Sequence, residues 1–187
     1  VGPGHGFGIS AAVAVAITGA LAAWAGKTYT PHQLAAIAHH LDVEELGRAC
    51  GIESYLASAL GGVGLYHIAP YPRALPVPVT VPEEAVTALE DRLIVVKIRH
   101  ALSVGLYHTL TQRCLNGDAR LRESLWQLRL LAAHAIEAIG RQDYAALGGL
   151  MAEHTRLQQL VAPALASADY EHVRLLAYGR GALAVKA

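Results

Sequence analysis

Val1-Gly2-Pro3-Gly4-His5-Gly6-Phe7-Gly8-Ile9-Ser10-Ala11-Ala12 decides how this chain is read. Gly2, Gly4, Gly6 and Gly8 alternate with other residues, Ser10 follows, and an apolar run continues to Ala25. Glycine lets a backbone approach a bulky anion and adopt positive φ. A helix N-terminus offers unpaired N–H groups and a partial positive charge. A glycine loop feeding such a terminus is a candidate phosphate cradle. The competing reading is a flexible glycine-rich lead into a core helix, and spacing alone leaves both open.

The run Ile9–Ala25 is short for a membrane span, contains Thr18 and Gly19, and has no basic segment before it. It reads as a buried helix of a globular protein, with a membrane-associated helix as the alternative. Gly26 suits the position just past its end. Thr30-Pro31 reads as an N-cap followed by proline at the first helical position. Leu34, Ile37, Ala38 and Leu41 then predict an apolar stripe on a second helix running to about Gly47.

Further along, a short helix is expected around Tyr55–Leu60 and a strand over Val63–Ile68. Val77, Val79 and Val81 alternate within a proline-rich stretch that suits an edge strand. Pro82-Glu83-Glu84 reads as a short helical turn or loop. Leu93–Ile98 is the strongest strand signal in the chain. Helices are expected over Ser103–Leu115, Ala119–Ile139, Tyr144–Leu160 and Tyr170–Gly179, and a final strand begins at Leu183-Ala184-Val185.

Bulk composition narrows the classes. At 187 residues, a chain can bury roughly 70% of its unfolded surface and needs no covalent staples. Lys+Arg and Asp+Glu are equal at 15 each, and no basic stripe with interleaved aromatics is present, which argues against nucleic-acid binding. Cys50 and Cys114 suit a reducing compartment and have no metal-ligand spacing. His39 and His40 are adjacent and so face apart on a helix, which disfavours zinc. Gly26-Lys27-Thr28 ends a helix and has Leu21 where a P-loop needs glycine, which excludes that motif.

Pro3-Gly4-His5-Gly6-Phe7-Gly8-Ile9-Ser10-Ala11-Ala12 resembles the central motif of the GHMP small-molecule kinases, P-x-G-x-G-L-G-S-S-A-A. Cys50-Gly51-Ile52-Glu53-Ser54-Tyr55-Leu56-Ala57-Ser58-Ala59-Leu60-Gly61-Gly62 resembles the family's C-G-I-x-D-Q-x-x-S-A-L-G signature. Ala152-Glu153-His154 is similar to the sugar and heptose-phosphate kinase branch. Gly181–Ala187 resembles the strand leading into a third, glycine-rich motif. The resemblance implies an α+β, two-lobe fold, a ribosomal S5-like lobe plus a ferredoxin-like lobe. Residues 1–82 would form part of the ATP-binding lobe and residues 83–187 part of the C-terminal lobe. It also implies truncation at both ends, because the family's first and third motifs have no counterpart here.

The implied activity is transfer of the γ-phosphoryl group of ATP to a hydroxyl of a sugar or sugar phosphate, with Mg²⁺, in the cytoplasm. No nucleic-acid or membrane partner is implied. Pro3, Gly4, His5, Gly6, Phe7, Gly8, Ile9, Ser10 and Ala11 would hold the nucleotide phosphates. Ser10 and Glu44 would be magnesium ligands, oxygen donors of the kind a hard cation prefers. Ser10 as an ordinary N-cap, and Glu44 as part of a solvated acidic face with Asp42 and Glu45, are the competing readings. The family's aspartate falls at Ser54, whose hydroxyl does not ionise near neutral pH, and Glu53 beside it is the candidate substitute base. His100 and Ser103 are either substrate residues or a strand-to-helix connection. A catalytically silent nucleotide-binding relative is the alternative function.

Overall fold

The computed structural model describes residues 8–48, 50–68, 70–98, 106–163 and 167–186. The chain divides into two compact units, Val1–Val79 and Thr80–Ala187.

The first unit begins with helix α1, Ile9–Trp24. Gly26 lies past its end at φ +67°, where glycine carries no Cβ penalty. Helix α2, Pro31–His40, starts with a complete capping box. Gln33 N–H donates to Thr30 Oγ1 at 3.3 Å, and Thr30 N–H donates to Gln33 Oε1 at 2.8 Å. The helix does not run unbroken to Gly47. It passes into a π-helical turn, Leu41–Glu45, closed by Leu46 N–H donating to Leu41 C=O. Helix α3 spans Glu53–Leu60. Strands β1, Leu65–Ile68, and β2, Ala74–Val77, pair antiparallel with Leu65 opposite Val77 and Ile68 opposite Ala74. The ladder stops at Val77, so Val79 and Val81 are not part of it.

Ala11, Val15, Ala35, Ala38, Ile52, Tyr55 and Leu56 form this unit's core. Two expectations shift here. The inward face of α2 is Ala35, Ala38 and His39, continued by Asp42, one position round from the expected stripe, and Leu41 is exposed. Helix α1 is only partly buried: Ala11 and Val15 face inward, while Val13, Ile17 and Leu21 form an exposed apolar stripe at helical spacing. Among the described residues, no helix is long and apolar enough to cross a membrane.

The second unit is helical: α4, Glu83–Glu90; α5, Leu106–Leu115; α6, Ala119–Gly140; α7, Tyr144–Val161; and α8, Ala168–Gly179. The Glu83-Glu84 segment thus opens an eight-residue helix. Acceptor side chains cap three of the starts: Asp118 accepts from Leu121 N–H, Asp143 from Ala146 N–H and Ser167 from Tyr170 N–H. Leu121, Val161 and Ala162 are buried together, with Leu106, Leu110, Cys114 and Leu128 packed against them.

The strand expected over Leu93–Ile98 does not form. The segment is irregular, and Leu93, Ile94, Val95 and Val96 are 51–86% exposed. A strand requires a neighbour for its backbone groups, and among the described residues none pairs with this one. Leu183-Ala184-Val185 also joins no ladder. The Val185 carbonyl accepts instead from Thr155 Oγ1 at 3.4 Å and Tyr170 Oη at 3.1 Å. Gly148 leaves room for Leu183, whose Cβ lies 3.0 Å from where a Cβ on that glycine would stand.

Candidate active site

Gly8 caps α1 in the left-handed conformation, φ +65° and ψ +18°, and no side chain caps the helix. The first intrahelical bond is Ala12 N–H to Gly8 C=O at 2.9 Å. The amides of Ile9, Ser10 and Ala11 precede it and have no acceptor within the helix. Ser10 is therefore not the N-cap. It is exposed in the first turn, and Ala11 below it is buried in the core.

The fold brings Ser54 against Gly8. A Cβ built on Gly8 would lie 3.0 Å from Ser54 Cβ and 3.2 Å from Ser54 Oγ. The loop's last glycine is needed here twice: for its positive φ, and because Ser54 occupies the space a side chain would need. Ser54 sits in the first turn of α3, and its carbonyl accepts from Ser58 Oγ at 2.7 Å. Glu53 opens the same helix, but its carboxylate folds back over the Gly51 backbone, so that a Cβ on Gly51 would collide with it. Glu44 is exposed on the π turn. Pro3, Gly4, His5, Gly6 and Phe7 lie outside the described residues, as do His100 and Ser103. Among the described residues, no group of three His, Cys, Asp or Glu side chains is arranged to hold a metal ion.

Sequence reasoning missed a polar network on the buried side of α3. Asp42 is 4% exposed, not part of a solvated acidic face. Its carboxylate accepts from Tyr55 Oη at 2.6 Å and from Arg48 Nη1 at 3.0 Å. Tyr55 commits its one proton to Asp42; the Cys50 thiol lies 3.2 Å from Tyr55 Oη and within reach of the Arg48 carbonyl at 3.5 Å, the two acceptors open to its single hydrogen. Burial, then the bonds to Asp42 and Cys50, push the Tyr55 phenol far above its ordinary range and keep it protonated.

Cys50 also anchors the hairpin connection. Its carbonyl accepts from Tyr71 Oη at 2.8 Å. His39 Nε2 lies 2.8 Å from Tyr71 Oη and 3.3 Å from that carbonyl. The Tyr71 hydroxyl is thus equidistant from the Cys50 carbonyl and His39 Nε2, and the tautomer of His39 decides which way the protons point. The imidazole packs edge-on against Tyr55 and Tyr71, with ring centroids at 5.2 and 5.6 Å. Burial, then the fields of Cys50, Glu53 and Glu44, raise the Tyr71 pKa. One sequence signal pointed to this network: Ala35, Ala38, His39 and Asp42 follow the i, i+3, i+4, i+7 spacing of a single helix face.

A glycine at positive φ opening an uncapped apolar helix, with the start of a second helix against it, is the feature on which comparison bears. Residues 1–62, which hold all of these elements, match the GHMP kinases N terminal domain. Over those residues the chain is similar to the GHMP kinases. It is similar to the D-glycero-alpha-D-manno-heptose 7-phosphate kinase of Campylobacter jejuni subsp. jejuni serotype O:2, with 22% identity over 193 aligned residues. That alignment covers 98% of this chain and 54% of the other, so the chain spans about half the length of the curated relative it matches. No solved structure matches the chain.

Proposed function

We propose that this chain carries the nucleotide-holding part of an ATP-dependent kinase that phosphorylates a hydroxyl of a sugar or sugar phosphate. The observation that carries this reading is the left-handed Gly8 at the uncapped start of α1, with Ser54 filling the space beside it. The heptose 7-phosphate kinase relative supports the acceptor class.

In this reading Pro3–Ala11 would hold the phosphates, and the amides of Ile9, Ser10 and Ala11 would meet them at the positive end of the helix dipole. The missing Cβ at Gly8 is what lets Ser54 stand against the start of α1. Magnesium would neutralise charge on the phosphate oxygens. The Ser10 hydroxyl and Glu44 carboxylate, both exposed oxygen donors, are the residues that would hold it. Ser54, standing against Gly8, would border the bound phosphates, orient the acceptor hydroxyl and remain neutral, since phosphoryl transfer depends mainly on positioning and charge stabilisation. Glu53 would accept the proton only after turning away from Gly51. Residues 1–82 would then be the ATP-binding lobe and 83–187 the acceptor lobe of a two-lobe kinase.

A second reading, a nucleotide-binding relative without turnover, is favoured by the neutral Ser54 and by the Glu53 carboxylate lying over Gly51. Calorimetric titration with Mg-ATP, followed by product analysis with heptose and hexose phosphates, separates the two. Binding with ADP formation supports the kinase, whereas binding alone supports the silent relative. Gly8→Val should abolish binding in either case, and unchanged binding by that variant would overturn both.

A further inference from the structure

Tyr55 follows Ser54 directly, and its ring is 3% exposed in the core of the first unit. Its hydroxyl is held by Asp42 at 2.6 Å, and Asp42 is held in turn by Arg48 at 3.0 Å. Asp42 sits in the π turn, where Arg48 N–H also donates to the Asp42 carbonyl at 2.9 Å. The side chain and the backbone of one residue are therefore both tied to Arg48. The next fixed point is Cys50, whose thiol faces Tyr55 Oη and whose carbonyl is taken by Tyr71. The first turn of α3 is thus held at Tyr55, the residue next to the one that meets Gly8. A helix whose first turn is pinned at residue 55 cannot rotate about its axis without carrying residue 54 with it.

We propose that Tyr55, fixed by Asp42, is a positioning residue that sets where Ser54 Oγ stands against the N-terminus of α1, so that the strength of nucleotide binding depends on the Tyr55–Asp42 hydrogen bond. The inference rests on the nucleotide reading of that terminus. Tyr55 touches none of the reacting groups and acts through Ser54. The margin is narrow, because the Ser54 side chain stands 3.0–3.2 Å from the Cβ position at Gly8.

A double-mutant cycle on the full chain tests this, with ATP affinity as the readout. Tyr55→Phe keeps the buried ring and removes only the hydroxyl. It should raise the Kd for ATP about fivefold when Ser54 is present and leave it unchanged in a Ser54→Ala background, since coupling is expected only between residues acting as one unit. Hydrogen exchange supplies a second measurement: Tyr55→Phe should speed exchange of the Ser54–Leu56 amides selectively, with melting of the remaining chain retained. Equal weakening in both backgrounds, or no weakening in either, overturns the positioning role while leaving the proposed function standing. A wild-type chain that binds no ATP overturns the proposed function and this inference together.

Discussion

The two units are held together by different means. In the first, a small apolar core, three of whose seven residues are Ala, is supplemented by a directional polar chain through Arg48, Asp42, Tyr55, Cys50, Tyr71 and His39. In the second, long helices with side-chain caps bury Leu121, Leu157 and Tyr170. Its helix-end polar contacts, such as Arg113 to Asp118 at 2.8 Å, lie partly in solvent. Apolar packing is non-directional and tolerates small shifts, whereas a hydrogen-bond chain specifies angles. The difference teaches that orientational precision is concentrated in the unit that carries the candidate site, around the helix that presents Ser54.

The comparison breaks most readily under truncation of each unit's support. Leu157→Ala in α7 should cost about 3 kcal/mol, the usual effect of a cavity at a fully buried leucine. It should leave ATP affinity unchanged, as chemical denaturation and calorimetry would show. A comparable loss of nucleotide affinity would mean that the second unit also sets the site. Asp42→Ala comes next. It strands the Tyr55 hydroxyl in the core and should cost about 2 kcal/mol, with a disproportionate loss of ATP affinity. Retention of full affinity would reduce the polar chain to ordinary packing.

How much of this was legible depended on how local the signal was. The start of α1, its Gly26 stop and the Thr30 N-cap before Pro31 were readable because each is settled within a few residues. The face of α2 was not. Ala and His gave a weaker apolar contrast than Leu34, Ile37 and Leu41, and the π turn gives Leu41–Glu45 a different helical register from the turns before it. That is why Asp42 read as part of a solvated acidic face. Leu93–Ile98 has the composition of a strand, but composition cannot supply a pairing partner. At the site, the loop-to-helix start and the Ser54 signature were readable as motifs. That Gly8 and Ser54 would touch was not, because a contact between residues so far apart in sequence belongs to the fold.

The smallest expected effect lies in the second unit and sharpens the contrast. Burial, with a lesser contribution from Lys186 and an opposing one from Gln158, lowers the His154 pKa below its ordinary value of 6.5. The unfolded chain therefore takes up this proton first as pH falls. The stability contributed by neutral His154 is complete above about pH 6.5 and is lost as pH drops through the folded-state value. His154→Gln should flatten that part of the stability profile measured by denaturant titration, and an unchanged slope would place the titration elsewhere.

Amide chemical shifts recorded while ATP is titrated into the full chain test the central claim most directly. The account predicts saturable shifts at the Gly8, Ile9, Ser10, Ala11 and Ser54 amides, absent in Gly8→Val. Saturable shifts confined to other residues, or none at all, would contradict it.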